Sequence, residues 1–244
     1  MALMDVALGA LVVLVATCLG SFVVVVIRRI DRFLYSVMLA FSGGVMTFSV
    51  MEMSMQSHAS SGEVAAIAGL ASGAVLLLAF DRLLPHIHAR IRKSELMVPK
   101  KKAALLAGAL TLHNVPEGFA VGSAFASSVP LGWVLTASIA LQDIPEGLLV
   151  SAPLACYGVN TRKAVGFGIF SGIVEAAAAV SGYMLLSIVK TAVPLALSVS
   201  AGAMLYVVLV EIMPDAFTRG VERKAALFFL AGFAIAFALS GITF

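Results

Sequence analysis

The sequence predicts an all-α polytopic membrane protein of eight transmembrane helices, and three observations predict it. Of the 244 residues, 61% are hydrophobic and 12% charged, against about half and about a quarter in soluble proteins. Mean hydropathy is +1.07, so the chain has too little polar surface to coat a globule in water. Eight apolar stretches each reach the roughly 17–25 residues that a spanning helix needs. Basic residues then fall almost entirely in alternate connections between those stretches. The same composition excludes disordered, collagenous and coiled-coil classes.

The first span, approximately 4–27, opens on Asp5 rather than a basic residue and is too long for a cleaved signal peptide. Arg28, Arg29 and Arg32 separate it from the second, 33–55. The third, 63–84, leads into the longest connection, 85–102, with Arg90, Arg92, Lys93 and Lys100–Lys102. The fourth and fifth, 103–126 and 131–155, are followed by Arg162 and Lys163. The sixth, 164–188, and the seventh, 195–216, flank Lys190. Arg219, Arg223 and Lys224 precede the eighth, 225–243. Counted with Arg82 at the end of the third span, the connections after odd-numbered spans thus hold 15 of the 16 Lys and Arg residues. The positive-inside rule puts those connections in the cytoplasm and both termini outside, periplasmic or extracellular if the membrane is a bacterial inner membrane.

The net charge of +3 is explained by this topology, and no nucleic-acid partner is expected. Cys18 and Cys156 lie in or beside apolar segments without CxxC spacing and read as packing residues. Gly168-x-x-x-Gly172 and Gly69-x-x-x-Gly73 permit close helix contacts, within one protomer or between two, so a homodimer is compatible.

Four acids stand near the middles of spans: Glu117, Asp143, Glu146 and Glu175. A charge at that depth costs about 2.5–3.5 kcal/mol on insertion scales, so four approach about 10 kcal/mol. No Lys or Arg occupies the middle of a span to offset them. Such a cluster must hold protons or bind cations.

The fourth span reads His113-Asn114-Val115-Pro116-Glu117-Gly118, and the fifth Gln142-Asp143-Ile144-Pro145-Glu146-Gly147. One frame recurs 29 residues later: polar, polar, apolar, Pro, Glu, Gly. The first polar residue and the Glu are i and i+4 on one helix face. The antiparallel spans bring both motifs to similar depth. Pro116 and Pro145 disturb the carbonyls of Leu112 and Leu141. Freed carbonyls are tolerated in a membrane only where they are buried or line a watery cavity. Imidazole, amide, carboxylate and backbone donors together suit a divalent transition metal such as zinc, cadmium, iron or manganese. Four carboxylates would balance two such ions, and this metal is a bound substrate rather than a cofactor.

At these residues the sequence resembles the ZIP family of divalent-metal transporters, in its prokaryotic branch, over essentially the whole chain. The resemblance implies one metal site from His113, Glu117, Gln142 and Glu146. It implies a second from Asn114, Asp143 and Glu175, with Glu117 and Glu146 bridging. Met46, in Gly43-Gly44-Val45-Met46, matches a thioether ligand position, although on sequence alone it reads as a packing residue. Ala176 and Val210 stand where the family often has proline and histidine. The family arrangement implies two helix bundles, with the second, fourth, fifth and seventh spans enclosing the pathway.

Two outlying groups are candidates for metal approach and exit. Glu52, with Met51, Met53, Met55 and His58, lies at the outer end of the second span. Asp81, His86, His88, Glu211 and Asp215 gather on the cytoplasmic side by topology. Glu211-Ile212-Met213-Pro214-Asp215 resembles an exit-side acid-Pro-acid motif of the family.

The expected function is transport of divalent metal, zinc foremost, into the cytoplasm. A metal-selective channel using the same acids is the alternative. Nothing resembles an ATP-binding loop. A di-iron enzyme would use Glu-x-x-His and an intramembrane zinc protease His-Glu-x-x-His; neither string occurs. A metal sensor would need a soluble signalling domain, and none is visible. No catalytic residues and no cofactor are expected.

Overall fold

The computed structural model describes residues 2–27, 30–83 and 99–241. Its elements are α1 (Ala2–Phe22), α2 (Arg32–Ser61), α3 (Glu63–Leu83), α4 (Pro99–Ser127), α5 (Val129–Cys156), α6 (Thr161–Ile188), α7 (Val193–Val207) and α8 (Glu222–Ser240). A 3-10 turn, Val23–Val25, extends α1. A π turn, Val208–Ile212, and a last helical turn, Met213–Ala216, extend α7. Among the described residues there is no strand.

Helix starts follow local chemistry. Asp31 accepts from the Leu34 N–H at 2.7 Å, and Asn160 from the Arg162 N–H at 2.9 Å. Ser128 accepts from the Leu131 N–H at 3.3 Å just ahead of Pro130. Each satisfies an amide with no partner within its helix. The second span is longer than its apolar stretch suggests, because α2 runs on to Ser61. It turns into α3 through Gly62 alone, at a φ of 81° that disfavours any side chain.

The seventh span is not one regular helix. Pro214 has no N–H to give a carbonyl one turn back, and the preceding residues adopt i→i+5 bonding as the π turn. Composition carried no sign of this.

Six helical segments among the described residues are long and apolar enough to cross a membrane. Helices α4 and α5, at 29 and 28 residues, have the length. Their motif residues dilute their hydropathy. They are covered instead by neighbours, as polar helices in a bilayer should be.

The helices form two groups. One is α1, α4, α5 and α6; the other is α2, α3, α7 and α8; they meet mainly through α2, α4, α5 and α7. Glycines set the closest crossings. A Cβ on Gly118 would collide with the Glu175 carbonyl, one on Gly147 with the Thr17 carbonyl, and one on Gly44 with the Phe229 carbonyl. Small residues let backbones meet where no hydrophobic drive exists between helices. Gly69 and Gly73 face Ser198 and Val199, and Gly168 and Gly172 face α1, so both small-residue repeats are used within the chain. Helix α3 leaves Val64, Ile67, Val75, Leu76 and Phe80 exposed, a face suited to lipid.

Candidate metal centre

Three carboxylates meet between α4 and α5. Glu117, Asp143 and Glu146 each place an oxygen within 4.8 Å of the others'. Glu117 and Asp143 are buried and Glu146 is half-buried. The repeated motif produces this meeting, because each Glu follows a proline on a helix face turned to the other helix.

The amides of the motifs organise the acids. Gln142 Nε2 donates to Glu117 Oε1 at 2.8 Å, and Asn114 Nδ2 donates to Glu175 Oε2 at 3.1 Å. Each amide ties one carboxylate oxygen and leaves the other bare. Glu117 Oε2, Gln142 Oε1, both Asp143 oxygens, Glu146 Oε1 and Glu175 Oε1 are buried without a hydrogen-bond partner among the described residues. Buried polar atoms are nearly always satisfied, so a group of acceptors lacking donors calls for an explanation. Rich in carboxylate and amide oxygens, this one fits a cation.

Two hydroxyls outside the motifs reach the same acids. Ser42 of α2 donates to the Gln142 carbonyl at 3.4 Å and also interacts with Glu146. Thr17 of α1 reaches Glu175 Oε2 at 3.4 Å. Sequence reading passed over both. A small hydroxyl in an apolar span ordinarily bonds its own backbone one turn back, and only the fold reveals its second partner.

His113 stands one turn before Glu117, but its Nε2 lies 2.9 Å from Glu211 Oε1. Glu211 belongs to the π turn. The expected exit residue and the expected site histidine are therefore neighbours. Met46 is buried within the main apolar cluster, together with Met53, Ile139 and Met204. Glu52 is half-buried on α2, and Asp215 is exposed beyond the π turn. Asp81 lies near the end of α3, and His86 and His88 fall outside the described residues.

On the side towards Gly62 and Ser128, the seam between the helix groups is filled by buried apolar side chains. They include Val50 and Met53 of α2, Val121 of α4, Leu135 of α5, and Leu197 and Met204 of α7. At the other end Glu146 and Glu211 keep partial exposure.

A family profile described as "ZIP Zinc transporter" matches residues 90–240. The chain is 34% identical over 174 residues to "Zinc transporter GufA" of Myxococcus xanthus, covering 70% of this chain and 68% of that protein. It is 32% identical over 240 residues to "Zinc transporter ZIPB" of Bordetella bronchiseptica, covering 93% and 78%. To "Zinc transporter ZupT" of Corynebacterium glutamicum it is 30% identical over 244 residues, covering 90% and 92%. With its paired Pro-Glu-Gly helices and shared acid cluster, the chain belongs to the ZIP zinc transporter family.

Proposed function

We propose that the protein carries divalent transition-metal ions, zinc first among them, across a membrane into the cytoplasm through a site that holds two ions. The observation that carries the reading is the meeting of Glu117, Asp143 and Glu146 within 4.8 Å, surrounded by buried oxygens without donors. The names of the similar proteins support zinc as substrate. Cadmium, iron and manganese suit the same donor set.

In this reading all eight helical segments span the bilayer. The basic connections face the cytoplasm and both termini lie outside, as in a bacterial inner membrane. The filled seam towards Gly62 and Ser128 then closes the outer side, while Glu146 and Glu211 face the cytoplasmic side. One helix group rocking against the other around the acids would alternate access. An inside-negative potential favours inward movement of a divalent ion by about 4.6 kcal/mol per 100 mV, twice the single-charge value.

The test is tracer zinc uptake into proteoliposomes, with wild type and Glu146→Ala in parallel. Saturable uptake, competed by cadmium and lost in the variant, is expected. Uptake by the variant at the wild-type rate would remove Glu146 from the pathway. Unitary currents across a bilayer would replace the carrier with a metal-selective channel.

A further inference from the structure

Thr17 belongs to no motif, yet it is fully buried at the back of the acid cluster. Its hydroxyl has one proton and two acceptors within reach, the Val13 carbonyl at 2.9 Å and Glu175 Oε2 at 3.4 Å. Asn114 Nδ2 donates to that same oxygen at 3.1 Å. Donors on two helices therefore lie within hydrogen-bond reach of one oxygen of Glu175. The other, Oε1, is buried and has no partner among the described residues. A carboxylate tied at one oxygen cannot turn freely about its terminal bond, so the bare oxygen keeps a fixed direction.

The backbone is arranged to bring Thr17 there. Gly147 of the second motif faces the Thr17 carbonyl, and Gly118 of the first faces the Glu175 carbonyl. A Cβ on Gly172 of α6 would lie 3.1 Å from the Thr17 Cβ. The glycine ending each motif thus seats one of the two residues, and Thr17 meets Glu175 where the chain closes a ring of α4, α6, α1 and α5.

We propose that Thr17 is a positioning residue for the second metal ion: its hydroxyl, with the Asn114 amide, pins Glu175 Oε2 so that Oε1 faces the ion. This rests on the two-ion reading above. Partners that orient a ligand commonly alter metal affinity about 10–100-fold. The alternative is that the hydroxyl only satisfies itself on the Val13 carbonyl, as threonines in apolar helices do.

The deciding measurement is tracer cadmium binding to the purified full chain in detergent, for wild type, T17V, T17S and E175Q. T17V keeps the side-chain volume and removes the hydroxyl; T17S keeps the hydroxyl. The expected result is two ions in wild type, a second ion about tenfold weaker in T17V, near wild-type affinity in T17S, and loss of the second ion in E175Q. A second ion bound normally by T17V but lost in E175Q overturns the proposal and leaves the two-ion site standing. Equal weakening in T17V and T17S also overturns it, since any disturbed packing at position 17, and not loss of the hydroxyl in particular, would then weaken the ion. A wild type that binds one ion, unaffected by E175Q, overturns the two-ion reading and the proposal together. Should T17V fail to fold, T17A is read by the same criteria.

Discussion

His113 Nε2 lies 2.9 Å from Glu211 Oε1, joining the first motif on α4 to the π turn that follows α7. The contact crosses from one helix group to the other. It engages the His113 Nε2. In the proposed two-ion reading, metal and Glu211 would compete for this imidazole, and loading the site through His113 would require the bond to open.

Removing the competitor should free the histidine. Glu211→Ala is expected to raise equilibrium zinc affinity about tenfold or more in a chelator-competition titration, since a hydrogen bond to a charged group is worth about 1.5–3 kcal/mol. Uptake should slow at the same time, because an ion held more tightly leaves more slowly. A lower affinity in the variant would instead make Glu211 a ligand in its own right.

Asp143 has two buried oxygens and no hydrogen-bond donor to either among the described residues. It shares its space with Glu117 and Glu146, so the acids repel one another when no cation separates them. Asp143→Asn should stabilise the metal-free protein, by about 2–4 °C in melting temperature for each kcal/mol of repulsion relieved. The rise in melting temperature on adding zinc should shrink correspondingly, because ligand-linked stabilisation follows affinity. A variant that melts lower without metal and gains as much from zinc as wild type would show that Asp143 acts only as a packing group.

Hydropathy, charge alternation and one repeated string made much of this protein legible beforehand. The spans follow from the physics of the bilayer, and the motif residues announce themselves because carboxylates in apolar helices are costly. The contacts that finish the site were not legible. Thr17 is 158 positions from Glu175, and a threonine among valines and leucines carries no outward sign of a distant partner. That Glu211 meets His113 was not legible either, because the sequence does not show that its helix loosens into a π turn there. The motif glycines let helices pack closely, and what they bring close, Glu175 and Thr17, depends on which helix crosses which.

Those crossings can be tested directly. Gly118→Ala would drive a methyl group into the Glu175 carbonyl. Overpacking of this kind typically costs about 1–3 kcal/mol, and here it should also displace a carboxylate. Gly108, on the same helix, has nothing within 4 Å of an added Cβ. Gly108→Ala should leave stability unchanged or raise it by up to about 1 kcal/mol through helix propensity. Melting curves in detergent compare the two, and equal behaviour would argue against the close α4–α6 approach.

The two-ion reading makes Gln142 a determinant of the ion that the first site prefers. Its Nε2 donates to Glu117 Oε1 at 2.8 Å, leaving its own Oε1 bare beside the acids. It thus offers a hard amide oxygen and occupies one glutamate oxygen at the same time. Gln142→His replaces that oxygen with an imidazole nitrogen, a softer donor that suits zinc and cadmium better than manganese. It also releases Glu117 Oε1 from the amide. Competition of unlabelled ions against tracer zinc uptake should therefore move about tenfold in favour of cadmium over manganese, the equivalent of about 1.4 kcal/mol of differential binding. If the order and spacing of the competition curves do not change, the Gln142 side chain does not touch the ion, and its part is confined to holding Glu117.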